Sequence, residues 1–164
     1  MGEPAATFGA LVGDLEYPMF IVTARGDDGE PLGCLVGFAT QTSIDPPRFA
    51  VCLSHNNRTY RRGRDSPLLA VHCVPAHADE LAQLFGGRTG DDLAKFEHCE
   101  WHEGAGGVPM LDDCPNRFVG RVVWRADAGD HDVFLLEPVS AEAAPGEEEF
   151  TFHRARRIEA GHDA

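Results

Sequence analysis

Residues 33–47, GCLVGFATQTSIDPP, run from an apolar stretch through a polar strand end into a rigid turn. The pattern predicts a β-strand over 33–42. Asp45-Pro46-Pro47 ends that strand, because neither proline can donate a hydrogen bond to a ladder. The polar residues Thr40-Gln41-Thr42-Ser43 can offer backbone N–H and hydroxyl groups to the edge of a planar heterocycle. The alternative is an ordinary strand terminus with threonines on its pleat.

Short strands and few helices are predicted on both sides of this stretch. The further strands cover 19–24, 49–54, 68–74, 118–126, 133–139 and 150–153. Apolar spacing predicts a helix near the N-terminus, with Phe8, Leu11, Val12 and Leu15 on one face, and others around 57–64 and over 77–85. Residues 87–115 are rich in turns and irregular. The pattern therefore predicts a mostly β fold, with a closed or sandwiched antiparallel sheet in a single domain.

The chain is strongly acidic, since 14 Lys+Arg oppose 27 Asp+Glu and the formal net charge is −13. A broad basic face for nucleic acid is therefore not expected. No run of about 18 or more apolar residues predicts a membrane-spanning helix, and the first residues lack the basic region of a signal peptide. Five cysteines, an odd number without a C-x-x-C pair, predict reduced thiols and a cytoplasmic protein.

A basic segment interrupts this acidic background. Four of the 13 arginines lie between residues 58 and 64, directly after Ser54-His55-Asn56-Asn57. Hydroxyl, amide and guanidinium groups beside a predicted helix start are the donors that hold a small phosphate or pyrophosphate. The alternative is a solvated basic turn that offsets neighbouring acids.

Two histidine segments carry weaker signals. Gly129-Asp130-His131 places an acid before a histidine at a tight turn, where the carboxylate can orient the imidazole; a solvated hairpin histidine is the alternative. His98 and His102 would share a helix face, as metal ligands do. Glycines and prolines crowd that region and no second ligand pair has metal-like spacing, so no metal site is predicted. The sequence also lacks P-loop, nucleophile-elbow, zinc-protease and Rossmann motifs.

These segments, in this order, resemble the flavin reductase-like family of short-chain flavin:NAD(P)H reductases. Residues 33–47 align without a gap with the family pattern G-M-T-A-N-S-F-T-S-V-S-L-D-P-P. The identities are Gly33, Thr40, Ser43, Asp45, Pro46 and Pro47. Other matching segments are Pro18–Thr23 (first barrel strand), Leu84-Phe85 with Lys95-Phe96 (F…KF), Gly107–Leu111 (G-x-P-x-L) and Gly129–His131 (GDH). The resemblance covers about residues 8–140 and leaves 141–164 as a C-terminal extension.

The resemblance implies a mostly β, antiparallel, Greek-key-like FMN-binding split β-barrel with a few short helices. It also implies a homodimer with one FMN, or FAD, per subunit near the interface. NADH or NADPH would deliver hydride to the flavin, and reduced flavin would pass to a separate monooxygenase. Carried over residue by residue, Gly37, Phe38, Ala39, Thr40, Gln41 and Thr42 would lie along the isoalloxazine and ribityl chain. Ser54, Asn57, Arg58 and Thr59 would hold the phosphate, and His131 would help to place the nicotinamide.

Two places depart from the family pattern. The family's N-S pair is Gly37-Phe38 in this chain, and its second Ser is Gln41. Two side-chain contacts to flavin are therefore lost or replaced, and Phe38 either stacks or packs. The alternative function is a non-catalytic split barrel that binds flavin, deazaflavin or haem.

Overall fold

Antiparallel strands form most of the regular structure in the computed structural model, which describes residues 2–159 and 161. The strands are β1 (Phe20–Arg25), β2 (Pro31–Val36), β3 (Ala39–Ser43), β4 (Arg48–Ser54), β5 (Leu68–Cys73), β6 (Trp101–Glu103), β7 (Pro109–Leu111), β8 (Arg117–Asp127) and β9 (His131–Glu142). The helices are α1 (Glu3–Gly13), α2 (Arg58–Gly63), α3 (Asp79–Gly86) and α4 (Phe152–Ala155). The prediction of a mostly β antiparallel fold with a few short helices is confirmed.

Seven strands form one sheet in the order β2-β1-β5-β8-β9-β4-β3. Its two edge strands, β2 and β3, are joined only by Gly37-Phe38. So short a link requires the sheet to curl until its edges meet, which makes a barrel that stays open between β2 and β3. The continuous strand predicted over 33–42 is wrong for the same reason, because the chain leaves the β1 ladder at Val36 and joins the β4 ladder at Ala39.

The apolar core lies on both faces of β1. Val22 packs inside the curled sheet with Leu69 and Phe134. Its neighbour Ile21 packs on the outer face against Phe85 of α3. Alternate residues of a strand point to opposite faces, so burial on both sides explains why the β1 segment is apolar without a polar alternation. Each such buried side chain stabilises the fold by about 1.5–3 kcal/mol.

The C-terminal segment completes the outer cluster. Phe150 is 2% exposed, and its backbone is bonded on both sides: Met19 N–H donates to Phe150 O at 2.8 Å, and Phe150 N–H donates to Val74 O at 2.8 Å. The strand predicted over 150–153 is wrong beyond Thr151, because α4 begins at Phe152. Phe152, Ala155 and Ile158 follow Phe150 into the same outer cluster, where they are partly buried.

Two other segments differ from the prediction. The region 87–115 contains the β6–β7 hairpin, which places His102 on a strand, so that it shares no helix face with His98. Helix α1 forms as predicted but ends at Gly13, so Leu15 of the predicted apolar face lies beyond it; Phe8, Leu11 and Leu15 are 66%, 60% and 52% exposed. Within residues 2–159 and 161, no helix has the length and apolar content to cross a bilayer.

A fully buried histidine ties three strands together. Leu111 N–H in β7 donates to His72 Nε2 at 3.0 Å, which leaves the His72 Nδ1–H to donate to Ile21 O in β1 at 3.0 Å. Burial lowers the pKa of His72 to about 4. The imidazole is therefore neutral at physiological pH and acts as a crosslink between β1, β5 and β7.

Candidate functional site

Two neighbouring cavities open beside the C-terminal end of β4. The first, about 210 Å³, is called the strand-end cavity and is lined by residues that include Tyr17, Gly37, Phe38, Ser54, His131 and Phe152. The second, about 420 Å³, is called the arginine-loop cavity and is lined by residues that include Glu30, Arg58, Thr59, Asp91, Lys95 and Phe96. Asn57 lines both, so the loop after β4 forms the wall between them.

The predicted site residues divide between these places. Gly37, Phe38, Ser54, Asn57 and His131 meet in the strand-end cavity. Asn57, Arg58 and Thr59 line the arginine-loop cavity. Ala39, Thr40, Gln41 and Thr42 lie on the edge strand β3 and line neither cavity.

His131 is positioned by the start of β9 and by the turn before it. Ala128 N–H donates to His131 O at 2.9 Å, and Gly129 has a φ of +119°, which a residue with a side chain rarely adopts. His131 Nδ1 lies 2.6 Å from Asp130 Oδ1, and this contact lowers the pKa of Asp130. The Phe38 ring lies 5.3 Å from the imidazole.

The loop after β4 is held by its own polar groups. Asn57 N–H donates to Ser54 O at 3.0 Å, and Asn56 N–H donates to Ser54 Oγ at 3.3 Å. Asn57 also caps α2, because its Oδ1 accepts from Thr59 N–H at 2.9 Å. The loop therefore has a defined shape before any ligand binds.

The arginines of the predicted basic segment are paired with acids. Arg58 donates to Glu30 Oε2 at 2.6 Å and to Asp91 Oδ1 at 2.8 Å. Arg61 contacts Asp91 at 2.5 Å, and hydrogen bonds from Arg58 and Arg61 lower the pKa of Asp91. Arg62 contacts Asp28 at 2.9 Å. For Arg61 and Arg62 the structure thus supports the alternative interpretation, a basic turn that offsets neighbouring acids. The phosphate role of Arg58 stays a prediction.

A carboxylate network next to the cavities was missed by the sequence analysis. Asp132, 7% exposed, accepts from Tyr60 Oη–H at 3.0 Å and lies 2.9 Å from His55 Nε2. Burial would raise the pKa of Asp132, but the hydrogen bonds from His55 and Tyr60 outweigh it and lower that pKa. Strand alternation could have found the network, because His55 and Asp132 directly follow Ser54 and His131, a pair in the β4–β9 register.

The same network includes a group with metal-ligand chemistry. Ligand atoms of His55, Asp127 and Asp132 lie within 4.8 Å of one another. Arg125 Nε lies 3.6 Å from Asp132 Oδ2 and already supplies a positive charge there.

Two further cavity-lining residues, Tyr17 and Phe152, lie 135 positions apart in the chain, and no local motif signals them.

A curled antiparallel sheet with a cavity at its strand end, beside a polar loop held by its own hydrogen bonds, forms a candidate site for a small ligand. The chain belongs to the flavin reductase-like domain family, whose model matches residues 12–161. The family resemblance inferred from the motifs is confirmed, and it extends through the C-terminal segment.

Individual relatives agree with this assignment. The chain is 30% identical over 137 residues to the FMN reductase (NADH) RutF of Variovorax paradoxus strain S110, which covers 84% of this chain and 75% of the relative. The fold matches NADH:FAD oxidoreductase SgcE6 of Streptomyces globisporus C-1027 with a TM-score of 0.84 at 23% identity, over 95% of this chain and 94% of that one. It also matches nitrilotriacetate monooxygenase component B of Mycobacterium thermoresistibile, with a TM-score of 0.80 at 23% identity, over 93% and 84%.

Proposed function

We propose that this protein is a flavin reductase that transfers hydride from NADH to FMN. The observation that carries the proposal is the meeting of Ser54, Asn57 and His131 in one cavity. These residues come from two strand ends and a loop, and they are the ones that the family resemblance marks as flavin and nicotinamide contacts. The choice of FMN and NADH follows the activity named for the Variovorax relative; FAD and NADPH remain alternatives.

The residues present fit a flavin. The strand-end cavity combines aromatic walls at Tyr17, Phe38 and Phe152 with polar groups at Ser54 and Asn57, and a planar ring system with a polar tail needs both kinds of surface. In this proposal Ser54, Asn57, Arg58 and Thr59 bind the phosphate end. Gly37 and Phe38 contact the ring, while Ala39, Thr40, Gln41 and Thr42 on β3 would follow the ribityl chain at the open side.

The bound flavin supplies the hydride-accepting chemistry, and the protein supplies placement. The contact between His131 Nδ1 and Asp130 Oδ1 orients the imidazole ring, and His131 lines the cavity. We assign it the task of placing the nicotinamide. Holding two reactants in register replaces a bimolecular encounter and lowers the barrier substantially.

We extend the proposal to the oligomeric state, the location and the partner of the protein. Residues 1–164 would form one domain that acts as a homodimer. The exposed apolar side chains on α1, together with Phe38 (57% exposed) and Trp124 (54% exposed), are the surfaces that a second copy would cover. A cytoplasmic partner monooxygenase would consume the reduced flavin, consistent with the fold shared with a monooxygenase component B.

Steady-state NADH oxidation by the purified full chain tests the activity. The proposal predicts NADH consumption that depends on added or bound FMN. Bound flavin without NADH consumption would instead indicate a binding module. A Soret band in the spectrum of the purified protein would indicate haem, and either result would overturn the reductase assignment.

A further inference from the structure

The strand-end cavity has a stacked aromatic pair in its lining. The rings of Tyr17 and Phe152 lie 4.6 Å apart at an interplanar angle of 14°, and both line the cavity. The two residues come from opposite ends of the chain, and both are half-buried. The Arg156 guanidinium lies 5.9 Å from the centroid of the Phe152 ring, and a stacked pair that borders a cavity can be extended by a third planar ring on the side that faces the cavity.

Hydrogen bonds on both residues' chain segments hold this aromatic pair in position. Phe152 N–H donates to Tyr17 O at 2.9 Å. The adjoining residues are also joined, because Glu16 accepts from His153 N–H at 3.0 Å and its other carboxylate oxygen lies 2.8 Å from His153 Nδ1. Phe150, two residues earlier, is buried in the core. The rings are therefore held in place before a ligand arrives, which reduces the entropy lost on binding.

Gly37 shows how closely the pair approaches the β2–β3 link. A Cβ atom at Gly37 would lie 2.9 Å from Tyr17 Cε2 and 3.3 Å from Met19 Sδ. A side chain at position 37 would thus displace the Tyr17 ring. The glycine at position 37 therefore leaves the space that the Tyr17 ring occupies beside the β2–β3 link.

We infer that Tyr17 and Phe152 form a stacking surface for the planar ring of the flavin, and that the C-terminal segment thereby supplies part of the binding site. This inference rests on the proposed function and adds a specificity determinant to it. The surface contacts the ring and makes no use of the phosphate, so it contributes equally to the affinity for FMN and for riboflavin. Aromatic stacking of this kind changes affinity by roughly tenfold.

Equilibrium titration of the full chain with riboflavin and with FMN, followed by flavin fluorescence, tests the inference. Phe152→Leu and Tyr17→Leu are each expected to raise the Kd for both flavins by roughly tenfold. Tyr17→Phe keeps the ring and is expected to stay within about twofold of the wild type. Phe49→Leu is the matched control, because Phe49 packs on Phe20 and Phe118 and lines neither cavity. It should lower the melting temperature and leave both Kd values unchanged.

The outcomes separate this inference from the proposed function. If Phe152→Leu and Tyr17→Leu lower only the melting temperature, the pair is structural and the inference is overturned while the reductase assignment stands. If the Kd values rise as expected but the wild type does not oxidise NADH, the stacking surface stands and the reductase assignment fails. If the wild type binds neither flavin, both are overturned.

Discussion

Ser54 and His131 are paired residues in the antiparallel ladder between β4 and β9. The pairing brings the loop that carries Asn57 beside the turn that carries Asp130, although the two segments lie about seventy residues apart in the chain. One sheet end thus supplies both the expected phosphate contacts and the expected nicotinamide contact. Rigid strands are suited to this task, because small displacements of positioning groups cost large factors in rate.

Replacing His131 with alanine should slow hydride transfer and spare flavin binding. We expect kcat to fall by roughly tenfold or more, because the group that places the nicotinamide is lost. The Kd for FMN should stay within about twofold. Rapid mixing of flavin-loaded protein with NADH measures the first quantity, and fluorescence titration measures the second.

A matched control for this variant is His102→Ala. His102 is also paired with an aspartate, Asp112, at 2.6 Å, but it lies on β6 and lines neither cavity. It should leave the hydride-transfer rate unchanged. Equal rates for His131→Ala and the wild type would remove His131 from the site.

Arg58→Ala combined with Thr59→Ala should weaken FMN binding more than riboflavin binding, by roughly tenfold, because only FMN carries the phosphate. Arg58 also joins Glu30 to Asp91, so a loss of about 1 kcal/mol of stability is expected as well. Titration with both flavins separates the two effects. Arg62→Ala, which removes a pairing with Asp28, serves as the control. Equal weakening of both flavins would contradict the phosphate assignment.

His72 should make the fold labile to acid. Its folded-state pKa, about 4, lies below the ordinary value of 6.5, so the unfolded chain takes up the proton first as the pH falls. Stability is therefore full above about pH 6.5 and falls between about 6.5 and 4, by up to about 3 kcal/mol. Urea unfolding at about pH 7 and about pH 4.5 measures this loss.

Two variants isolate the contribution of this histidine. His72→Leu should be destabilised by about 1–3 kcal/mol at neutral pH, because Leu111 N–H loses its acceptor. Its free energy of unfolding should then depend less on pH than that of the wild type. The exposed His77 provides the control, His77→Leu, which should keep the wild-type pH profile. An unchanged profile in His72→Leu would show that other groups cause the acid lability.

The apolar stripe of α1 should mediate association. Leu11→Glu places a charge among Phe8, Leu11 and Leu15, so we expect a shift from dimer toward monomer in sedimentation velocity. Ala6→Glu, an exposed position on the opposite side of the same helix, should leave the mass unchanged. A monomeric wild type would contradict the proposed homodimer.

The strands were predicted from the sequence more accurately than the residues that line the two cavities. The strands carry local signals, such as the apolar run of β1 and the prolines after Asp45, and the ordered motifs identified the family. The break at Gly37-Phe38 was not predictable from periodicity, since apolar and polar residues continue smoothly across it. It depends on the curl of the sheet, which only tertiary pairing defines.

Which acids pair with the arginines could not be predicted from the sequence. The arginines near Arg58 stand out in the sequence because their partners, Glu30 and Asp91, are 28 and 33 residues away. The Tyr17–Phe152 pair is more distant still, and it is joined by the hydrogen bond from Phe152 N–H to Tyr17 O. Contacts of this kind are set by topology and leave no local pattern.

The central claim is tested most directly by an anaerobic absorbance measurement on the purified full chain mixed with FMN and then with NADH. The account predicts that the visible flavin band bleaches as the NADH band disappears, with one NADH consumed per flavin reduced, and that His131→Ala slows this bleaching. A flavin band that persists in the presence of excess NADH would contradict it.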